Sequence, residues 1–270
     1  MNYETIISGM KRFGSTERDI CVSGLGVQPE QVNENVIIAP WWEPKSLHGL
    51  GKVKYLSESD FSAIKVWDIT AGKTKITYIK TGIGAPVLID ALLSLGVTKY
   101  KKIIFIGSVG ALDPEIGIGD IVIPEYSVCG DGASRYIAAD DLKSGDCWGE
   151  KVYPNNDLFN TVKGITKAVC DENDVKWHIG KNFSIDTVVA QFSHIDEIID
   201  MGCNVIEMET AAAFRAAKMI NIPMAAIFSV SDNTVVNKSL ISGRTKKDND
   251  YRRRVKKKLI PQIILKAFEN

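Results

Sequence analysis

Three acidic residues stand where a carboxylate is well placed for chemistry. Glu207 and Glu209 lie where a short predicted strand, residues 204–206, leads into an alanine-rich stretch. Asp232 follows a longer apolar run, residues 225–230. Ligands of α/β sheets bind beyond the carboxyl ends of strands, so all three side chains are candidates for a ligand site. Each also has a structural explanation, because a glutamate at a helix N-terminus or an aspartate that caps the next segment stabilises a fold.

Two glycine-rich stretches each follow a predicted strand, at residues 81–86 (TGIGAP) and 106–112 (IGSVGAL). Glycines at such positions let the backbone turn tightly and let its N–H groups approach an anion. The first stretch also leads into a predicted helix, whose N-terminus adds partial positive charge. Both stretches are predicted as turns, and a tight connection without a ligand stays an alternative for each. Neither spells GxGxxG, which disfavours a dinucleotide site.

The composition predicts a globular protein with one large core. Apolar residues make up 45% of the 270 residues, and α/β folds of this length often form one unit. Thirty-three basic residues balance thirty-three acidic ones. This balance provides no global field to attract nucleic acid or a membrane surface, so neither is expected as a partner.

The five cysteines indicate a reducing compartment. Their number is odd and no pair has CxxC spacing, so we expect neither a disulfide framework nor a zinc site. The three histidines are scattered and do not form a metal-binding spacing, so no metal is expected. The N-terminal stretch carries charges, and no apolar run approaches the length of a membrane span. These features predict a cytoplasmic protein.

Short β-branched runs alternate with helical stretches along the chain. Strands are predicted at residues 36–39, 75–79, 102–106, 120–123 and 225–230. Helices are predicted at residues 86–96, 157–172, 193–201 and 209–220. This order predicts a central parallel or mixed sheet with helices around it. Residues 1–34 are predicted as a peripheral helical extension of a catalytic domain that covers residues 35–270, and residues 127–156 as a long excursion.

Six stretches, in order along the chain, resemble signature stretches of the nucleoside phosphorylase superfamily. They are KTGIGAP (80–86), IGSVGAL (106–112), IGDIVIPE (118–125), DGASRY (131–136), VIEMETA (205–211) and SVSD (229–232). The branch they resemble contains the purine and uridine phosphorylases and methylthioadenosine nucleosidase. The resemblance implies a single α/β domain of the phosphorylase type, with a central mixed β-sheet that is partly barrel-like and flanked by helices. It also implies cleavage of the N-glycosidic bond of a nucleoside, as in nucleoside salvage.

By this resemblance, Glu209 holds the ribose hydroxyls, Met208 packs on the sugar and Glu207 lies beside it. A carboxylate suits vicinal hydroxyls because it accepts two hydrogen bonds. Asp232 is expected to donate a proton at N7 of a purine, which requires that burial raise its pKa. Arg244 follows at about the spacing at which the purine phosphorylases carry an arginine that works with this acid.

The resemblance also implies a base pocket of Val109, Gly110, Val188 and Ser231. We expect a purine or purine-like base. The uridine phosphorylases usually recognise the pyrimidine with a glutamine and an arginine. Here Gln191 is present, but no arginine stands close to it in the sequence, and the insertion of that branch is absent.

Phosphorolysis needs a site for phosphate, to which the resemblance assigns Gly84, Ser108 and Lys45. Two departures from the family pattern weaken this site. Phe105 stands where the family carries an arginine, and residues 40–44 (PWWEP) replace its Gly-Asp-Pro loop. Lysine is a point charge and not a bidentate fork, so Lys45 would change the geometry even as a replacement.

Three functions remain open at this point. Phosphorolysis to free base and pentose 1-phosphate is favoured, because Arg244 is typical of the phosphorylases and not of the nucleosidases. Hydrolysis by water needs no anion site, and a nucleoside-binding protein without activity is the third alternative. Inorganic phosphate is expected as co-substrate with no cofactor, and a homo-oligomer is expected, either a dimer or a hexamer built from dimers.

A basic run, residues 252–258 (RRRVKKK), lies near the C-terminus. Tyr251, Val255 and Leu259 fall on one helical face at spacings of four. The run is therefore predicted as the solvated face of a C-terminal helix and not as a nucleic-acid patch. Pro261 is predicted to kink or break this helix.

Overall fold

One mixed β-sheet organises the computed structural model, which describes residues 1–57, 64–99 and 101–269. Its strands are β1 (Asn35–Ala39), β2 (Lys52–Tyr55), β3 (Lys65–Ala71), β4 (Thr74–Lys80), β5 (Lys102–Ala111), β6 (Ile121–Cys129), β7 (Lys151–Val152), β8 (Trp177–Ser184), β9 (Val205–Glu207) and β10 (Met224–Asn233). The predicted domain of residues 35–270 also includes residues 58–63, Tyr100 and Asn270, which lie outside the described residues.

The sheet closes on itself at one side and stays open at the other. β5 pairs in parallel with β10, β10 pairs antiparallel with β6, and β6 pairs in parallel with β8. β8 then pairs in parallel with β9, which returns to β5 in the antiparallel sense. β1, β4, β3 and β2 extend from β5 as an open arm. The prediction of a central mixed, partly barrel-like sheet flanked by helices is confirmed.

Helices cover both faces of this sheet. They are α1 (Tyr3–Arg12), α2 (Glu17–Leu25), α3 (Ala85–Leu95), α4 (Arg135–Ala138), α5 (Asn156–Asn173), α6 (Ile195–Asp200), α7 (Thr210–Met219), α8 (Lys246–Arg254) and α9 (Ile260–Glu269). α2, α3 and α7 contribute to one core cluster, and α5 and α9 contribute to a second. Along β5, Ile103 and Phe105 belong to the first cluster and Ile104 and Ile106 to the second. This alternation arises because successive side chains of a strand point to opposite faces.

The first glycine stretch forms the predicted turn between β4 and α3. Gly82 has a φ of +96° and Gly84 a φ of +110°, a region of backbone conformation that favours glycine. Gly84 stands at the N-cap of α3, and Pro86 occupies the first turn of that helix. Proline is well tolerated there because the first helical N–H groups have no partner within the helix.

The second predicted turn, at residues 106–112, is wrong, because β5 continues through most of this stretch. Its glycines instead make room for side chains of the neighbouring strand. A Cβ atom at Gly107 would lie 3.5 Å from the ring of Phe228, and one at Gly110 would lie 3.2 Å from the carboxylate of Asp232. Glycine is used at these positions for close approach and not for a turn.

The helix predicted around Pro261 continues past the proline. A π-helical segment, Val255–Leu259, joins α8 to α9, so the predicted irregularity takes this form. Proline has no N–H and cannot bond the carbonyl four residues earlier, which here belongs to Lys257. That carbonyl instead accepts a hydrogen bond of 2.8 Å from the backbone N–H of His48. The loop after β1 therefore supports the helix where the proline weakens it.

The N-terminal segment packs directly onto α3. The hydroxyl of Tyr3 donates to the carbonyl of Leu93 at 2.7 Å, and Cys21 and Leu25 of α2 lie in the first core cluster. The predicted excursion at residues 127–156 contains the end of β6, α4 and β7. No helix in the described part of the chain has the length and apolar character required to cross a membrane.

Gly119 sets how closely α8 approaches the sheet. Its φ is +92°, and a Cβ atom there would lie 2.6 Å from the ring of Tyr251 and 2.9 Å from the backbone of Arg252. Its N–H donates to the carbonyl of Val230 at 2.9 Å, so the residue cannot shift freely. A side chain at this position would therefore displace the helix.

We expect Gly119→Ala to lower the free energy of unfolding more than Gly72→Ala does. Gly72 has a φ of +60° and no atom within 4 Å of an added Cβ, so alanine there introduces backbone strain alone. That strain costs about 1–3 kcal/mol. Overpacking against α8 adds about 1–3 kcal/mol at Gly119. Urea unfolding of both variants measures the difference, and equal losses would contradict the close approach of α8.

Candidate active site

A cavity of about 330 Å³ is bordered by β5, β9 and β10. A volume of this size suits a small-molecule ligand. Eight of the residues predicted for the site line the cavity, namely Ser108, Gly110, Val188, Glu207, Met208, Glu209, Ser231 and Asp232. The fold thus brings the glutamates near β9 and the aspartate of β10 to one place.

Other predicted residues lie away from the cavity wall. The side chain of Lys45 is 85% exposed and pairs with a neighbouring glutamate at 2.9 Å, so the structure does not bring it to the cavity. Val109 points into the first core cluster, and its carbonyl accepts a hydrogen bond of 3.1 Å from the hydroxyl of Ser231. Gly84 and Arg244 contact residues of the cavity wall without lining it themselves.

Glu207 is buried, and its carboxylate accepts four hydrogen bonds. The side chains of Asn182 and Ser184 on β8 each donate to Oε1 at 2.7 Å. The backbone N–H groups of Glu209 and Thr210 donate to Oε2 at 2.6 and 2.8 Å. Burial raises the pKa of Glu207, and these hydrogen bonds lower it. Four donors fill the acceptor capacity of a carboxylate, so Glu207 holds the start of α7 in position.

Glu209 is the second carboxyl group of this wall. Its Oε1 accepts a hydrogen bond of 2.6 Å from the N–H of Gly84, so this amide of the predicted phosphate site is already engaged. Burial, and then the charge of Glu207, raise the pKa of Glu209 to about 8. The charge of Glu207 opposes the ionisation of Glu209, because two neighbouring charges in a site of low dielectric constant repel each other.

A β-bulge brings Asp232 of β10 into the cavity wall, on the other side of β5 from β9. The register between β10 and β5 runs without interruption to the pair Val230 and Val109, and then passes to the pair Asp232 and Gly110. Ser231 is therefore the extra residue. A bulge redirects side chains, and here both Ser231 and Asp232 line the cavity. The sequence contains no signal for this bulge.

The surroundings of Asp232 favour a carboxyl group that keeps its proton. Only 4% of the residue is exposed. Burial raises the pKa of Asp232, while a hydrogen bond from Ser231 and the charges of Arg244 and Arg252 lower it. A raised pKa is the property required of a general acid near neutral pH.

Arg244 lies beside this acid. Its guanidinium donates to the carbonyl of Leu240 at 2.9 Å and to the carbonyl of Ser231 at 3.4 Å. Leu240 itself lines the cavity. Arg244 therefore connects the segment after β10 to the bulge that carries Asp232.

Arg252 lines the cavity and was missed by the sequence analysis, which placed it on a solvated helix face. Its Nη2 donates to the hydroxyl of Ser108 at 2.8 Å. A signal was present: Arg252 stands three positions before Val255, which is buried as predicted. Residues three apart are neighbours on a helix surface, so Arg252 borders the buried face of α8.

Aromatic side chains complete the wall. Trp41 is 68% exposed and Trp42 is buried in the second core cluster, and both line the cavity. Phe105 packs edge-on against Phe228 with ring centroids 5.2 Å apart, and only 1% of Phe105 is exposed. β5 is therefore apolar at the position where the family pattern has an arginine.

Metal binding finds no support in the described part of the chain, which contains no group of three or more His, Cys, Asp or Glu side chains placed to hold an ion. The charged groups of the cavity are carboxyl and guanidinium groups. Such groups bind hydroxyls, transfer protons and hold anions.

Residues 44–260 match the family model of the phosphorylase superfamily. The chain is 25% identical over 175 residues to the guanosine phosphorylase of Halorubrum lacusprofundi, covering 63% of this chain and 66% of that relative, just under two thirds. It is 30% identical over 186 residues to the 5'-methylthioadenosine/S-adenosylhomocysteine nucleosidase of Buchnera aphidicola, covering 64% of this chain and 77% of that one.

Solved structures share the fold over almost the whole chain. Uridine phosphorylase from Vibrio fischeri ES114 superimposes with a TM-score of 0.69 at 22% identity, covering 90% of this chain and 93% of that one. Purine nucleoside phosphorylase from Toxoplasma gondii also superimposes with a TM-score of 0.69. The identity is 19%, and the match covers 90% of this chain and 92% of that one. Since the family model spans most of the sequence, this chain belongs to the phosphorylase superfamily.

Proposed function

We propose that this protein cleaves the N-glycosidic bond of a purine nucleoside by phosphorolysis, releasing free base and pentose 1-phosphate. One observation carries the proposal: Asp232 and Glu209, two buried carboxyl groups with raised pKa values, line the same small cavity. The relatives named above include both phosphorylases and a nucleosidase, and both classes act on nucleosides.

The chemistry of Asp232 supports a purine as the leaving group. A phosphate oxygen forms a bond to C1′ of the sugar while the bond from C1′ to the base breaks. The electron pair of that bond passes to the base, and Asp232 donates its proton at N7, so that the base leaves neutral. A proton from solvent then restores the acid. General acid catalysis of this kind requires a carboxyl group that is protonated near neutral pH.

Glu209 and Met208 support the assignment of their part of the cavity wall to the sugar. The carboxylate of Glu209 can accept hydrogen bonds from two vicinal hydroxyls, and Met208 offers an apolar surface to the ring. In this proposal Glu207 acts indirectly, because its own acceptor sites are filled by Asn182, Ser184 and the start of α7.

Hydrolysis by water is the second candidate, and two observations favour it. Lys45 is exposed away from the cavity, and Phe105 makes β5 apolar at the position of the family's arginine. Phosphorolysis remains the favoured candidate because the guanidinium of Arg252 lines the cavity next to Ser108.

Incubation of purine and pyrimidine nucleosides with and without phosphate, followed by chromatography, separates the candidates. Phosphorolysis requires phosphate and yields pentose 1-phosphate, whereas hydrolysis yields the free pentose.

We expect Asp232→Asn to lower turnover of purine nucleosides by about two to four orders of magnitude, because the amide cannot donate the proton. Steady-state release of free base measures this loss. Asp171→Asn, the same substitution at an exposed position, serves as control and should leave turnover unchanged. Turnover of Asp232→Asn close to that of the wild type would contradict the assignment of the acid.

The pH profile offers an independent check on the same residue. The protonated carboxyl group is the active form, and its pKa is raised. Turnover of the wild type should therefore fall as the pH rises through that pKa, since the proton donor is lost. The fall should be absent from the residual turnover of Asp232→Asn.

We expect Glu209→Ala to weaken recognition of ribonucleosides but not of 2′,3′-dideoxynucleosides. A hydrogen bond to a neutral carboxyl group contributes about 0.5–1.5 kcal/mol, so kcat/KM for the ribonucleoside should fall about twofold to tenfold for each bond lost. Glu209→Gln keeps an acceptor for the Gly84 amide and controls for the conformation of that turn. If Glu209→Ala weakens both substrates equally, Glu209 positions the turn and does not bind the sugar.

A further inference from the structure

Arg252 holds an unusual position for a residue of a basic helix. It lies near the end of α8, is half-buried, and reaches the wall of the cavity. One of its donors, Nη2, bonds the hydroxyl of Ser108 at 2.8 Å. Another, Nε, is buried and has no hydrogen-bond partner among the described residues. A buried donor without a partner is costly, so a ligand that accepts from it would be bound favourably.

The charge of Arg252 also lacks a direct counterion. In the described parts of the chain no ion pair involves Arg252, whereas the next residue, Arg253, pairs with Asp250 at 3.2 Å. Burial and the charge of Arg244 lower the pKa of Arg252, and the charge of Asp232 raises it. A guanidinium that is partly removed from water beside a second one favours the binding of an anion between them and the hydroxyl.

The backbone holds Arg252 firmly in this place. Gly119 permits the backbone of Arg252 to approach within 2.9 Å of where a Cβ atom would stand. The π-helical segment that follows Arg252 is supported by the bond from His48 to Lys257. Single π-helical turns within α-helices frequently occur at functional sites. The guanidinium is therefore oriented before any ligand arrives, which reduces the entropy lost on binding.

We propose that Arg252 binds the phosphate co-substrate together with Ser108, and so supplies from α8 the cation that Phe105 does not supply from β5. The ligand is a tetrahedral oxyanion, since a planar fork of donors beside a hydroxyl matches two or three of its oxygens. This inference rests on the proposed phosphorolysis. Arg252 in this role is a binding residue for the nucleophile, and Asp232 remains the acid for the base.

Arg252→Gln tests the inference, with Arg252→Lys and Arg253→Gln as companions. Gln keeps a polar side chain of similar length and removes the charge. Lys keeps the charge but removes the fork. Arg253 lies on the same helix with its side chain 62% exposed, so Arg253→Gln is the matched control. Each variant is assayed for the KM of inorganic phosphate at saturating nucleoside, for kcat, and for the KM of the nucleoside.

We expect Arg252→Gln to raise the phosphate KM about tenfold to a hundredfold, which is the value of one charge-assisted hydrogen bond. Arg252→Lys should raise it less, and Arg253→Gln should leave it unchanged. The nucleoside KM should change little in all three variants, and Arg253→Gln should also leave kcat unchanged. A phosphate KM for Arg252→Gln within twofold of the wild type, with pentose 1-phosphate still formed, would overturn the inference and leave phosphorolysis intact.

Thermal unfolding with inorganic phosphate separates failure of the inference from failure of the proposed function. Phosphate should raise the melting temperature of the wild type and of Arg253→Gln, but not that of Arg252→Gln. Without phosphate, Arg252→Gln should melt close to the wild type, which shows that the variant is folded. If turnover yields free pentose irrespective of phosphate, phosphorolysis fails, and the melting shift alone then decides whether Arg252 binds an anion. If phosphate does not raise the melting temperature of the wild type, or raises that of Arg252→Gln equally, the inference that Arg252 binds an anion is overturned.

Discussion

The geometry of the cavity depends on a single buried carboxylate, that of Glu207. It joins β8, β9 and α7, because the side chains of Asn182 and Ser184 and the first N–H groups of α7 all donate to it. A buried carboxylate without such donors would be destabilising. Since the four bonds fix the chain on either side of Met208, they also determine where Glu209 points. Glu207 therefore has the helix-terminus role, and it positions Glu209, the candidate ligand of the sugar.

The same carboxylate helps to establish a polarity across the cavity. Glu209 faces the charge of Glu207, which adds to burial in raising its pKa to about 8. Asp232 is also buried, but Arg244 and Arg252 stand near it and lower its pKa. The part of the site at β9 is therefore rich in carboxyl groups, and the part at β10 combines a carboxyl group with guanidinium groups. Such a gradient orients a ligand that has hydroxyls at one end and requires a proton or carries an anion at the other.

The sequence predicts the fold best where apolar runs are continuous. β1, β4, β5, β6 and β10 all occur at or around their predicted positions, because strands covered on both faces are apolar throughout. β8 was not predicted, since its sequence, WHIGKNFS, mixes polar and apolar residues. Two of those polar residues, Asn182 and Ser184, are buried to hold Glu207, so the pattern fails where the site imposes its own requirement.

The sequence predicts candidate residues near strand ends that the structure places at the cavity, but it does not predict contacts across long separations. Asp232 and Glu209 follow predicted elements directly, so their positions could be inferred from the strand order. Lys45 is close in sequence to the end of β1 but faces solvent. Arg252 reaches Ser108 from a residue 144 positions away, and no local pattern encodes that contact.

Phe105 and Arg252 both line the cavity, and one is apolar where the other is charged. Phe105 belongs to the first core cluster and packs against Phe228, so a guanidinium at this position would lie against apolar side chains at the edge of the cavity. A charge in such surroundings is strongly unfavourable without a permanent partner. Arg252 comes from α8 instead, and its head lines the cavity; it is partly buried too, and burial lowers its pKa. The two positions therefore differ in their surroundings: Phe105 packs against Phe228, whereas the guanidinium of Arg252 contacts the hydroxyl of Ser108.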